Sequence, residues 1–199
     1  MTSFIQLVIL AMGIAFVSIL FILCMHYAHK FFKDKFPNPY IRVIVGALLL
    51  VGLVMVFGYV YLGAGMSVID QAMYGSVVPY DFILKILFTS ITIGCGFKGG
   101  EIVPTFFIGS TLGYLLGSLV GLEPHIGAAL GLVGMFCCVV NCPLTSLALG
   151  VEMFGSGYLI PFAIIVSFCY VLSGYFSLYQ AQKIVYSKTS PVFINQNAK

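Results

Sequence analysis

From Ser3 to Met25 the chain runs 23 residues with neither an acid nor a base. At about 1.5 Å per residue, a helix of that length crosses a hydrocarbon core of roughly 30 Å. The run is longer than a signal-peptide core and no basic flank precedes it, so it reads as a retained membrane helix. Composition carries the same implication along the whole chain. Hydrophobic residues make up 61% and charged residues 8%, with a mean hydropathy of +1.11, where a soluble domain is about 25% charged. The formal charge of +3 is too small and too scattered for nucleic-acid binding. Nothing resembles a soluble appended domain. Residues 1–199 therefore read as a single membrane domain whose final stretch, 189–199, is a short polar tail.

Turn-rich breaks divide the apolar sequence into segments. Helices are predicted over 3–29, 39–61, 80–95, 103–121, 125–141, 143–154 and 157–176, with short ones at 66–74 and 177–187. Several are too short to cross a bilayer at about 1.5 Å per residue. Short hydrophobic segments interrupted by glycine or proline point to broken helices around a midplane binding site. The expected fold class is thus an all-α integral membrane protein of tilted and broken helices. Lys30, Lys33, Lys35 and Arg42 share one connection, and Lys183, Lys188 and Lys199 share the C-terminal segment. The positive-inside rule would put both groups on the cytoplasmic side, but re-entrant segments leave the number of crossings between them open, so charge alone does not set the orientation.

Residues 94–110 carry the chemistry. Gly94, Gly96, Gly99 and Gly100 lie in one loop, and Pro104 supplies the fixed φ that suits the first turn of a helix. The first N–H groups of such a helix lack internal partners and sit at the positive end of its dipole, a ready anion site. Irregular backbone at membrane depth survives only where protein buries it or where it lines a cavity. Glu101, amid glycines and beside Ile102, Val103, Phe106 and Phe107, is a costly intramembrane acid and so a functional candidate. Glu152 is a second acid in an apolar segment, read as a carboxylate bonded to nearby backbone. Cys137, Cys138 and Cys142 match no common zinc spacing and read as small residues between helices. Cys24, His26 and His29 read as an interfacial helix end rather than a metal site. Neither a cofactor nor a metal is expected. No His-Glu-x-x-His, paired aspartates or nucleophile–base arrangement suggests an enzyme.

Three motifs carry a family resemblance. Gly100-Glu101-Ile102-Val103-Pro104, followed by an apolar helix with spaced glycines, resembles the G-x-F-x-P filter of the CLC chloride channels and transporters. Asn141-Cys142-Pro143-Leu144-Thr145, running to Val151-Glu152-Met153, resembles the helix that follows the filter in that family. Leu178-Tyr179 resembles the final helix bearing an anion-coordinating tyrosine, with Tyr186 as the rival position. The likeness spans about residues 5–188 and corresponds to the C-terminal half of a CLC subunit. The chain has Ile102 where the family usually has phenylalanine, and its Gly-Phe-Lys-Gly-Gly-Glu run is more similar to the fluoride-handling bacterial branch.

The resemblance implies one inverted-repeat half of a CLC-type fold, in a multi-pass protein of a bacterial-type plasma membrane. It implies transport of chloride, another halide or fluoride, through a channel or in exchange for protons. Gly100, Glu101, Ile102, Val103 and Tyr179 would bind the anion; Glu101 would either couple it to a proton or turn its side chain away and serve the site through its backbone alone. It further implies a missing N-terminal half and a homodimer of complete subunits, with part of the dimer interface in 5–29, 143–154 and 157–176. The competing expectation is a broken-helix transporter of a cation or small metabolite that uses Glu101 and Glu152.

Overall fold

A computed structural model describes residues 3–199, in eight α-helices, a 3-10 turn and one two-stranded hairpin. The helices are α1 (Phe4–Lys35), α2 (Pro39–Phe57), α3 (Met66–Tyr74), α4 (Asp81–Gly94), α5 (Ile102–Leu119), α6 (Pro124–Val140), α7 (Pro143–Phe154) and α8 (Leu159–Leu172). Among the described residues, α1, α2 and α5 are long and apolar enough to cross a membrane, and α6, α7 and α8 are shorter apolar helices. Helix α1 passes its predicted end at residue 29 and continues through Lys30, Lys33 and Lys35. Lysine is a good helix former and suits the negative end of the dipole, so the helix stops only at Phe36, before Pro37. Helix α2 stops at Gly58, whose φ of 79° ends the helix four residues short of the predicted boundary.

Helix α1 forms the spine. It packs against α4, α5, α6 and α8, burying Leu7, Leu10, Ile14 and Phe21. The tightest pairing is α5 with α6, and its cause is a glycine seam. A Cβ on Gly109 would lie 2.7 Å from the Gly131 carbonyl oxygen, and one on Gly117 would lie 2.9 Å from the Gly127 Cα. No side chain fits there. Apolar burial does not drive helices together in lipid, so backbone approach of this kind supplies the dispersion contact that does. The seam fixes α5, and with α5 the loop at its start.

Helix α2 is different, because only 6% of its membrane-length window is buried. It presents Tyr40, Ile44, Leu48, Met55 and Val56 outward.

The final segment departs from expectation. The predicted helix at 177–187 is absent: residues 178–182 form turns, and β1 (Lys183–Tyr186) pairs antiparallel with β2 (Phe193–Asn197). Ile184-Val185-Tyr186 is a β-branched and aromatic run, and its register brings Tyr186 opposite Phe193, ring against ring at 5.8 Å. The chain end folds back as well, with Ser177 N–H donating to the Lys199 carbonyl and Lys199 N–H donating to that of Tyr175.

Candidate anion-binding site

Helix α4 ends at Gly94, and the chain turns through Cys95 and Gly96, the latter at φ 96°. The Arg42 guanidinium of α2 lies alongside Gly96, where an added Cβ would meet Nη2 at 3.4 Å. Residues 98–100 then run exposed, without regular secondary structure, into the start of α5. The Thr105 N–H donates to the Glu101 carbonyl at 3.2 Å, and the Thr105 hydroxyl donates to it at 2.8 Å. These bonds fix the first turn. Among the described residues, none of the N–H groups from Lys98 to Val103 donates a hydrogen bond within the protein. That row of free donors sits at the positive end of an 18-residue helix.

The loop separates two cavities. The larger, about 500 Å³, is lined by Gly99, Gly100, Val103 and Pro104, with Lys85 and Thr89 of α4 across from them. The smaller, about 250 Å³, is lined by Glu101 and by Met25, His26 and His29 of α1, with Leu178 and Gln180 of the C-terminal segment. The side chain of Glu101 thus opens on a different space from that flanked by its glycine neighbours.

Of the residues predicted for the site, Gly100, Glu101, Ile102 and Val103 form this helix start, with the Ile102 side chain 41% exposed. Tyr179 lies on a turn rather than a helix. Its N–H donates to the Ser177 hydroxyl at 3.2 Å, and it is near enough to Glu101 for the two to interact electrostatically. Tyr186 sits apart on the hairpin. Glu152 is exposed on α7 and shares no cavity with Glu101, and the expected bond to backbone is absent among the described residues. The two acids named for the cation or metabolite alternative thus line no common cavity among those described. Among the described residues no cluster of three or more His, Cys, Asp or Glu is placed to hold a metal.

Sequence reading passed over one buried charge network. Lys85 of α4 is 1% exposed, and its Nζ donates to the carbonyls of Gly63 at 2.7 Å and Tyr61 at 3.1 Å, lying 4.8 Å from the centre of the Phe107 ring. One turn earlier, Asp81 accepts the Tyr61 hydroxyl at 2.6 Å and the Val78 N–H at 2.9 Å. The network ties the 59–64 connection to α4 and α5. The signal was present: a lysine and an aspartate four apart in an apolar segment warrant the scrutiny given to Glu101.

A family model described as "Voltage gated chloride channel" matches residues 1–174. A chloride/fluoride channel protein of Pseudomonas syringae pv. tomato is 33% identical over 189 residues, covering 90% of this chain and 42% of the relative. An H(+)/Cl(-) exchange transporter, ClcA of Vibrio parahaemolyticus, is 28% identical over 131 residues, 59% of this chain and 28% of its own. Among solved structures, the crystal structure of a CLC-type fluoride/proton antiporter superposes with a TM-score of 0.86 at 35% identity, covering 90% of this chain and 46% of that one. The chain spans less than half the length of these relatives.

Proposed function

The chain belongs to the voltage-gated chloride channel (CLC) family, and on that premise we propose that it forms half of an anion transporter, holding fluoride or chloride at the start of α5 and exchanging it for protons. The observation that carries this reading is the row of free N–H groups from Lys98 to Val103. An anion leaving water needs its hydration replaced by fixed dipoles, and an N-terminal helix turn supplies them without a buried countercharge. Tyr179 would add a hydroxyl from the C-terminal segment. The Gly-Phe-Lys-Gly-Gly-Glu run, with the 35% identity to a fluoride/proton antiporter, favours fluoride over chloride.

The same premise calls for a second half, supplied on the same polypeptide or on another. The relatives are more than twice as long as the matched region, and the exposed face of α2 offers a surface for further helices. Two such assemblies would pair as a homodimer through α7 and α8, where Leu144, Met153, Leu159 and Ile160 are exposed. The membrane would be a bacterial-type plasma membrane.

Glu101 gives the exchange its proton. Its side chain opens on the cavity shared with His26; turned to within about 4 Å of a bound anion, the carboxylate would repel it by roughly 4 kcal/mol at an effective dielectric of 20, close to a thousandfold in affinity. Protonation when the anion is bound removes that penalty and couples the two ions. The test is anion-driven proton movement in liposomes holding the assembled transporter, this chain together with its complementary half. Wild type should move protons against fluoride or chloride, and Glu101→Gln should uncouple them. A mutant that keeps the wild-type proton-to-anion ratio would remove Glu101 from the mechanism.

A further inference from the structure

His26 and His29 stand three residues apart on one face of α1, and both line the 250 Å³ cavity into which Glu101 opens. His29 is exposed, whereas the His26 Nε2 is buried with no hydrogen-bond partner. His26 is also near enough to interact electrostatically with Glu101. One turn further along α1 begins the lysine-rich end of the molecule, Lys30, Lys33 and Lys35. A buried ring nitrogen without a partner is costly, and here it borders the same space as the one acid of the filter loop.

We propose that His26 is the proton-exchanging partner of Glu101, passing protons between that carboxyl and the lysine-rich end of α1 through the cavity they share. The proposal rests on the reading of Glu101 as the coupling acid and adds the route by which it is loaded. Imidazole suits the task because its unperturbed pKa lies near neutrality, so it takes and releases a proton at little cost. In the loading step the imidazolium gives its Nε2 proton to the Glu101 carboxylate, directly or along waters in the cavity. The products are a neutral imidazole and a carboxylic acid, and the imidazole then regains a proton from the side of His29 and the aqueous phase. Net charge is conserved at each transfer.

The other ionisable groups nearby are accounted for. His29 and Lys30 share the helix, Tyr179 of the C-terminal segment is within electrostatic reach of Glu101, and Arg42 of α2 is placed against Gly96. Helix α4 contributes only Ile93 to the cavity, its Asp81 and Lys85 being bonded to Tyr61 and, for Lys85, also to Gly63.

The experiment compares wild type, His26→Ala, His29→Gln and Glu101→Gln in liposomes containing the assembled transporter, and titrates the Glu101 carboxyl by infrared and the His26 ring by nitrogen NMR. His26→Ala should slow proton-coupled anion flux at least tenfold while leaving anion affinity unchanged, and added imidazole should restore part of the rate. A merely structural histidine would not be rescued. Replacing either His26 or Glu101 should move the titration midpoint of the other, as two interacting groups require. Proton-coupled flux by wild type with unlinked titrations, or with a full rate in His26→Ala, overturns the role of His26 alone. A loss confined to His29→Gln does the same. Anion flux without protons in wild type overturns the exchange reading itself.

Discussion

Gly100→Val isolates the contribution of the loop backbone from that of folding. A Cβ at Gly100 meets no atom within 4 Å, and the residue has no positive φ that a side chain would strain. The variant should therefore unfold within about 0.5 kcal/mol of wild type, as an unobstructed surface substitution does. Its isopropyl group instead adds bulk on the residue that immediately precedes the free N–H groups of Glu101 and Ile102, and is expected to obstruct an approaching anion. A hydrogen bond to a charged partner contributes about 1.5–3 kcal/mol, so denying two of them costs about 3–6 kcal/mol. That corresponds to a loss of roughly a hundredfold to ten-thousandfold in anion affinity. Calorimetric titration of the assembled transporter with fluoride and with chloride measures the loss, and thermal unfolding of the same sample checks the fold. Ile102→Val, which leaves the backbone untouched, should bind as wild type does. Wild-type affinity in a well-folded Gly100→Val protein would refute the placement of the anion at this loop.

Tyr179→Phe should weaken anion binding about tenfold or more by removing one hydroxyl donor, while Tyr186→Phe, on the hairpin, should change it less than about twofold. A larger loss at Tyr186 would reverse the assignment. Lys85→Met should lower stability by about 2 kcal/mol in detergent unfolding, because the Tyr61 and Gly63 carbonyls lose their charged donor. Unchanged stability would show that the ammonium is dispensable to the 59–64 connection. Gly113→Val puts a side chain 2.6 Å from the Gly131 Cα, so α5 and α6 must separate. Size-exclusion chromatography should show loss of the folded species, whereas Gly99→Ala, whose Cβ meets nothing within 4 Å, should elute normally.

What the sequence revealed follows from how local each determinant is. Helix α7 matches its predicted bounds because Pro143 and Gly155 mark both ends within a few residues. The start of α5 was legible for the same reason: glycines, an acid and Pro104 lie in one run. The last segment was not. Leu178-Tyr179-Gln180-Ala181 fits a helix locally, but Ile184 to Tyr186 pair with residues 193–196, and a ladder partner cannot be read from either strand alone. The extension of α1 through Lys35 is hidden in the sequence because a charged run after an apolar span resembles an interfacial end, although lysine continues a helix readily. The Lys85 network and the glycine seam are tertiary: each needs to know which carbonyl or which helix lies opposite. The cavity that unites His26 with Glu101 joins residues 75 positions apart, and no spacing rule connects them.

The central claim is that backbone N–H groups at the start of α5 hold the anion, and the most direct measurement is the distance between them. Solid-state NMR of the assembled transporter, labelled with nitrogen-15 and loaded with fluoride, reads fluorine-to-nitrogen dipolar couplings residue by residue. The account predicts strong dephasing at the amides of Glu101, Ile102 and Val103, corresponding to about 3 Å or less, which Gly100→Val abolishes. Bound fluoride that leaves all three amides undephased would contradict it.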